Sequence, residues 1–114
     1  MHNLKKNLPI ISKDHKIFQA ISRISNSKVK ILFVIDKNNK LLGSISSGDV
    51  RRSIRKKIDL NQNVQKIMFT KPKYLLRKEK IEISREYLIC IPIVNKKKEI
   101  IDFQYSQIIK KRKN

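Results

Sequence analysis

Ser46, Gly48 and Asp49, with Gly43 and Ser47 beside them, are the residues of this chain whose types and spacing suit chemistry. They stand in the run Gly43-Ser44-Ile45-Ser46-Ser47-Gly48-Asp49-Val50-Arg51-Arg52, which passes from a strand pattern into a helix pattern. Ser46 or Ser47 can cap that helix, and Asp49 then lies in its first turn. A helix N-terminus accepts an anion, and a carboxylate accepts from two neighbouring hydroxyls. A hydroxyl, a glycine and a carboxylate so placed can hold a phosphate and a ribose. The same residues also make an ordinary capped helix with an acidic first turn, and both readings stand at this level. Arg51, Arg52 and Arg55 follow; guanidinium forks match phosphate, and solvated surface is their default use.

Other chemistry is thin. Cys90 is alone, so no internal disulfide forms, which fits a reducing cytosol. In its apolar strand it reads as a small core residue rather than a nucleophile. His2 and His15 with a single Cys give no zinc spacing. No Ser–His–Asp set and no Gly-rich phosphate loop can be placed. Acid, base and nucleophile do not converge, so the chain is not expected to be an enzyme in its own right.

The 114 residues suffice for one compact domain or two very small units sharing a core. At 39% hydrophobic and 32% charged, the chain reads as globular. The formal charge of +19 suggests a polyanion partner. Yet only seven of its 28 cationic side chains are Arg, and aromatics are 6%. Base reading favours Arg and strand stacking favours aromatics, so nucleic acid is not the expected partner. Abundant Lys, Ile and Asn instead match AT-rich codons. No apolar run approaches the ~20 residues of a membrane helix. No apolar segment of signal-peptide type follows the first residues, so a cytoplasmic location is expected.

The elements that must position Ser46 and Asp49 follow from apolar spacing. Pro9-Ile10-Ile11 reads as a short strand. A helix over 14–26, capped by Ser12 or Asp14, turns Ile17, Ala20, Ile21 and Ile24 inward. Residues 32–35 are apolar throughout, as in a strand buried on both faces. A polar turn over 36–40 leads to a strand over 41–45, in which Gly43 signals a bulge or a close backbone approach. The next helix, over 48–57, carries Val50 and Ile54 inward. A short helical connector over 60–68 takes its cap from Asn61 or Asn63. Beyond it are expected a strand over 74–76, a helix over 80–88, strands over 90–94 and 99–103, and a helix over 106–111.

The second half repeats the first. Residues 32–43 fall on 91–102 at an offset of 59, which lays the polar turn 37–40 on 96–99. Pro9-Ile10-Ile11 falls on Tyr74-Leu75-Leu76 at an offset of 65, so the second copy is six residues shorter in its first helix. Neither copy is large enough to fold alone.

Two strand–helix–strand–strand–helix copies with such hairpins resemble a tandem CBS-domain pair, or Bateman module. The resemblance covers about 8–110. The run Gly43-Ser44-Ile45-Ser46-Ser47-Gly48-Asp49 resembles that family's Gly–x–apolar–Thr/Ser–x–x–Asp pattern. It implies that the Ser46 hydroxyl meets a nucleotide phosphate and that the Asp49 carboxylate meets ribose hydroxyls. Ile91-Pro92-Ile93-Val94 is similar to the apolar-Pro strand that lines the family's adenine pocket. Ser47-Gly48-Asp49-Val50-Arg51-Arg52 is similar to the form found in CBS pairs attached to sugar-phosphate enzymes, including the N-terminus of sugar-phosphate nucleotidyltransferases. The second copy departs: Gly43, Ser46 and Asp49 align with Asp102, Tyr105 and Ile108, so at most one nucleotide site is implied.

The resemblance thus implies an α+β fold of two such units packed as a pseudo-twofold pair, the second shortened. The first unit is expected over 8–59, the second over 60–110, and a basic tail or linker over 111–114. The ligand-binding residues are expected to be Gly43, Ser46, Ser47, Asp49, Arg51, Arg52, Ile91 and Pro92. AMP, ADP or ATP is the implied ligand, with no cofactor or metal required. A homodimer and a nucleotidyltransferase catalytic domain are the implied partners. The alternatives are a structural or dimerising module with a vestigial site and, third, a basic nucleic-acid-binding protein.

Overall fold

The computed structural model describes residues 8–79 and 88–107. Its elements are β1 (Ile10–Ser12), α1 (Ile17–Ser25), β2 (Ile31–Ile35), β3 (Leu41–Ser46), α2 (Ser47–Arg55), a 3-10 turn (Val64–Lys66), β4 (Leu88–Val94) and β5 (Ile100–Gln107). One sheet has the order β1-β2-β3, with β1 parallel and β3 antiparallel to β2. A second sheet is the antiparallel pair β4-β5.

The apolar run in β2 is buried on both faces, as expected. Leu32 and Val34 join Ile11, Ala20, Ile24, Ile45, Val50 and Val64 beneath the helices. Phe33 points the other way, into a cluster with Leu41, Cys90, Val94 and Phe103 that joins the two sheets. Phe33 and Phe103 rings lie 6.0 Å apart in that cluster.

Both helices start later or turn differently than their sequence suggests. Ser12 and Asp14 do not cap α1; Ser12 Oγ accepts from the Asp14 amide instead. The helix begins at Ile17, and its preceding Lys16 amide donates to Gln19 Oε1. In α2 the buried stripe runs through Val50 and Ser53, whose hydroxyl donates to Val50 O at 2.7 Å. Ile54 comes one residue later, about 100° further round the helix, and is 54% exposed rather than inward. The connector is helical only over Val64–Lys66, capped by Asn63, whose Oδ1 accepts from the Gln65 amide.

The two hairpins share one register. Val34 pairs with Gly43 and Ile35 with Leu41, so Leu42 is bulged out. Ile93 pairs with Asp102 and Val94 with Ile100, so Ile101 is bulged out, 59 residues on. The turns match atom for atom. Asp36 Oδ1 accepts from the Asn38 and Lys40 amides, and Asn95 Oδ1 from the Lys97 and Glu99 amides. Asn39 and Lys98 hold the same left-handed backbone, at φ 66° and 64°. The hairpins meet at Lys40 and Glu99, where Leu41 N donates to Lys98 O and Ile100 N to Asn39 O, each at 2.8 Å. Those two bonds exchange when 59 is added or subtracted, so the pseudo-twofold axis passes between Lys40 and Glu99.

The counterpart of β1 departs from expectation in extent and in register. The strand expected over 74–76 is a single parallel bridge, Leu75 to Ile93. In the first sheet Ile11 faces Val34. Leu75 is therefore the partner of Ile11, which makes the offset 64 rather than 65. Pro92 explains why the pairing is short. Its counterpart Phe33 donates its amide to Pro9 O at 2.8 Å, and a proline has no amide to give.

Residues 80–87 of the expected helix lie outside the described residues, and Leu88 opens β4. Ser106 and Gln107, expected to begin a helix, pair with Ile89 and Leu88 in β5. The cross-strand ladder supplies backbone partners that local propensity does not reveal. The rest of that expected helix, 108–111, and the tail 111–114 lie outside the described residues.

Candidate functional site

Ser46 is the last residue of β3 and the N-cap of α2, with extended backbone at φ −100° and ψ 170°. Its hydroxyl accepts from the Asp49 amide at 3.2 Å and donates to Asp49 Oδ2 at 3.0 Å. The Ser46 amide also donates to Asp49 Oδ2, at 2.9 Å. This is a reciprocal capping box with Asp in place of the usual Glu. Ser47 is not the cap. Its amide and hydroxyl both bind Lys30 O, which ties the helix start to the loop before β2.

The other oxygen of Asp49 is held by Arg52 Nη2 at 2.5 Å. Asp49 is 17% exposed at its side chain and Arg52 is 54% exposed. The guanidinium folds back over Gly48, where an added Cβ would meet Nη1 at 3.4 Å. Arg51 and Arg55 are exposed and have no carboxylate partner among the described residues.

Gly43 does see a close approach, and it comes from the chain itself. A Cβ there would stand 2.7 Å from Phe69 O and 2.8 Å from Met68 Sδ. Phe69 runs along the outer edge of β3, exchanging two backbone bonds with Ser44.

Ile91 and Pro92 lie in β4, opposite Gln104 and Phe103, and both are buried. No hydrogen bond joins them to Ser46, Ser47 or Asp49. Tyr105, the counterpart of Ser46, pairs with Cys90, and the strand runs on through it. Burial pushes the Cys90 thiol up to about 12, offset in part by a hydrogen bond with Tyr105. Desolvation, and then the neighbouring Cys90, raises the Tyr105 phenol to about 12. Cys90 is a buried free thiol, as its apolar strand implied.

Sequence reasoning missed a cavity of about 220 Å³ between the two units. Leu8 and Ile10, Ile35 and Asn39, and residues 100–103 of β5 line it. Asp102 and Asn39 are the polar residues of this largely apolar wall. The signal available in the sequence was the alignment of Asp102 with Gly43, which marks where the two hairpins differ. A second, shallower hollow of about 560 Å³ is lined by Lys78, Glu79, Phe103, Gln104 and Tyr105. Neither is lined by Ser46 or Asp49. No group of three or more metal-ligating side chains occurs among the described residues.

Residues 3–56 match the family model described as CBS domain. The fold is that of CBS-domain proteins. It superimposes on the CBS domain protein PAE2072 from Pyrobaculum aerophilum, complexed with AMP, with a TM-score of 0.65 at 14% identity, covering 83% of this chain and 77% of that one. The CBS domain pair of protein MJ0100, in complex with 5′-methylthioadenosine and S-adenosyl-L-methionine, gives a TM-score of 0.65 at 18% identity, covering 85% and 81%. These superpositions establish the shared fold.

Among curated proteins, an uncharacterized Helicobacter pylori protein is 33% identical over 67 residues, 59% of this chain and 20% of its own length. A homoserine O-acetyltransferase from Methanobrevibacter ruminantium is 32% identical over 97 residues, 81% of this chain and 19% of its own. The chain thus spans about a fifth of the length of the curated relatives it matches.

Proposed function

We propose that this chain is a non-catalytic regulatory module that binds an adenine nucleotide or a related adenosine ligand. The observation that carries this reading is the Ser46–Asp49 pair at the start of α2, inside the span that matches the CBS domain. Ser46 serves the phosphate end of the ligand and Asp49 the ribose, while Gly43, Ser47, Arg51 and Arg52 surround them. Ile91 and Pro92 supply the apolar wall for the base. The units divide at 8–59 and 60–110, with 111–114 as a basic tail. AMP, ADP and ATP are the first ligands to try.

The module serves an enzyme, and a sugar-phosphate nucleotidyltransferase is the type favoured by Ser47-Gly48-Asp49-Val50-Arg51-Arg52. The length of the relatives supports a module working beside a larger partner. No described helix is long and apolar enough to cross a membrane, which accords with a cytoplasmic partner. Calorimetric titration of the wild type and Asp49→Ala with AMP and ATP tests the reading. Saturable binding by the wild type, lost in Asp49→Ala, is the expected result. No heat from either protein ends it.

A dimerising role is the second reading. Phe18 on α1 and Ile54 on α2 are 48% and 54% exposed, apolar side chains on the two helices that a second copy could cover. Light scattering at high concentration should report a homodimer; a monomer counts against this role.

A further inference from the structure

We propose that Arg52 makes the site selective for phosphorylated ligands, by changing partner from Asp49 to phosphate when a nucleotide binds. The proposal rests on the reading of Asp49 as the ribose-binding carboxylate. The ion pair between Arg52 and Asp49 carries it.

A carboxylate offers about four acceptor positions. Oδ2 of Asp49 spends both of its own on the Ser46 amide and hydroxyl, at 2.9 and 3.0 Å. Oδ1 spends one on Arg52. A ribose diol needs two acceptor positions on the same carboxylate. While the Ser46 amide and hydroxyl hold Oδ2, the diol takes Oδ1 from Arg52 and the cap that fixes the helix start is kept.

The freed guanidinium would not simply swing into water. It lies over Gly48, within the first turn, where its Nη1 and Nη2 stand 3.4 and 3.7 Å from the place of a Cβ. That end of a helix is already positive. Asp49 neutralises Arg52 in the free protein. A nucleoside takes that carboxylate away and gives nothing in return, leaving a cation at a positive helix end. A nucleotide brings a phosphate that the guanidinium fork matches. Arg52 therefore penalises a bare nucleoside and is neutral or favourable toward a nucleotide. The helix start from Ser46 to Arg52 would report the phosphate rather than the base.

The test compares adenosine with AMP, titrated into the wild type, Arg52→Gln and Arg52→Lys by calorimetry. The wild type should bind AMP more tightly than adenosine by about tenfold or more. In Arg52→Gln adenosine should bind more tightly than it does to the wild type, AMP more weakly, and the ratio should fall several-fold, leaving the share owed to Ser46 and the helix start. Arg52→Lys should lie between, since an ammonium carries the charge without the fork. Arg52 is half exposed, and equal melting temperatures of the three proteins will show that folding is not at issue. An unchanged AMP-to-adenosine ratio in Arg52→Gln, with binding retained, overturns the exchange while leaving the ligand site standing. Absence of binding of both ligands to the wild type removes the site itself and this role with it.

Discussion

Gly43 and Asp102 occupy the same station on two hairpins, opposite Val34 and Ile93 respectively, and they manage the free edge of their strands in opposite ways. At Gly43 the missing side chain admits Phe69, whose carbonyl accepts the next amide along the strand, that of Ser44, at 3.0 Å. At Asp102 the side chain itself turns back, and Oδ1 accepts the corresponding amide, that of Phe103, at 2.8 Å. One edge is covered by main chain and the other by a carboxylate. Inward or edge-placed charge is a common guard against unwanted strand pairing.

Gly43→Ala should destabilise the protein by about 1–3 kcal/mol, because its Cβ meets a backbone carbonyl that cannot easily retreat. Gly48→Ala should be neutral or stabilising by up to about 1 kcal/mol, since only the flexible end of Arg52 stands near. Urea unfolding of the two variants beside the wild type checks the contrast. Equal losses in both would refute the close approach at Gly43.

Asp102→Ala should leave the Phe103 amide without its acceptor. Hydrogen exchange at that amide is expected to speed up several-fold, while the Ser44 amide, bound to Phe69 O, stays as it was. A parallel change at both amides would point to general loosening instead.

Ser46→Ala removes the cap and one donor to Asp49. A loss of about 1 kcal/mol is expected in chemical unfolding. Ser47→Ala should cost less, because the Ser47 amide keeps its own bond to Lys30 O without the hydroxyl.

Asp36 and Asn95 do the same work in the two turns. The backbone bond from Lys40, then that from Asn38 and the charges of Lys40 and Lys13, hold the Asp36 carboxyl below its ordinary value. Its folded form is therefore the more acidic. The stabilisation is present above the ordinary carboxylate range and is lost as pH falls through the lowered folded value. Asp36→Asn should melt close to the wild type at neutral pH and lose this acid sensitivity, whereas Asp36→Ala should melt lower at every pH. Thermal melts from pH 2 to about 7 decide it.

Cys90 and Tyr105 make the fold sensitive to alkali. Their folded values of about 12 lie above the ordinary 9.0 and 10.0, so the folded chain holds protons that the unfolded chain gives up. Stability is whole below the unfolded values and is lost as pH climbs through them toward the folded ones. Cys90→Ala should shift the onset of alkaline unfolding upward. A thiol reagent at pH 8 should label native Cys90 slowly and unfolded chain fast, since the thiolate is the reactive form.

The sequence by itself determined the elements around Ser46 and the match between the hairpins. Those features rest on short-range chemistry: the apolar run of β2, the Asx turns at Asp36 and Asn95, and a Ser three residues before an Asp. It could not place what depends on residues distant along the chain. The offset of the first strand came out as 64 only because Leu75 sits opposite Ile93. Ser106 and Gln107 became strand because β4 offered them partners, and Ile54 turned outward because Ser53 filled the buried face. Tertiary structure also decided that Gly43 faces Phe69 and Met68, and that a cavity opens beside Asp102. It decided where the guanidinium of Arg52 rests, on Oδ1 of Asp49 and over Gly48. Hydrophobic spacing and turn chemistry act over a few residues and can be read from the string; packing acts between residues that only folding brings together.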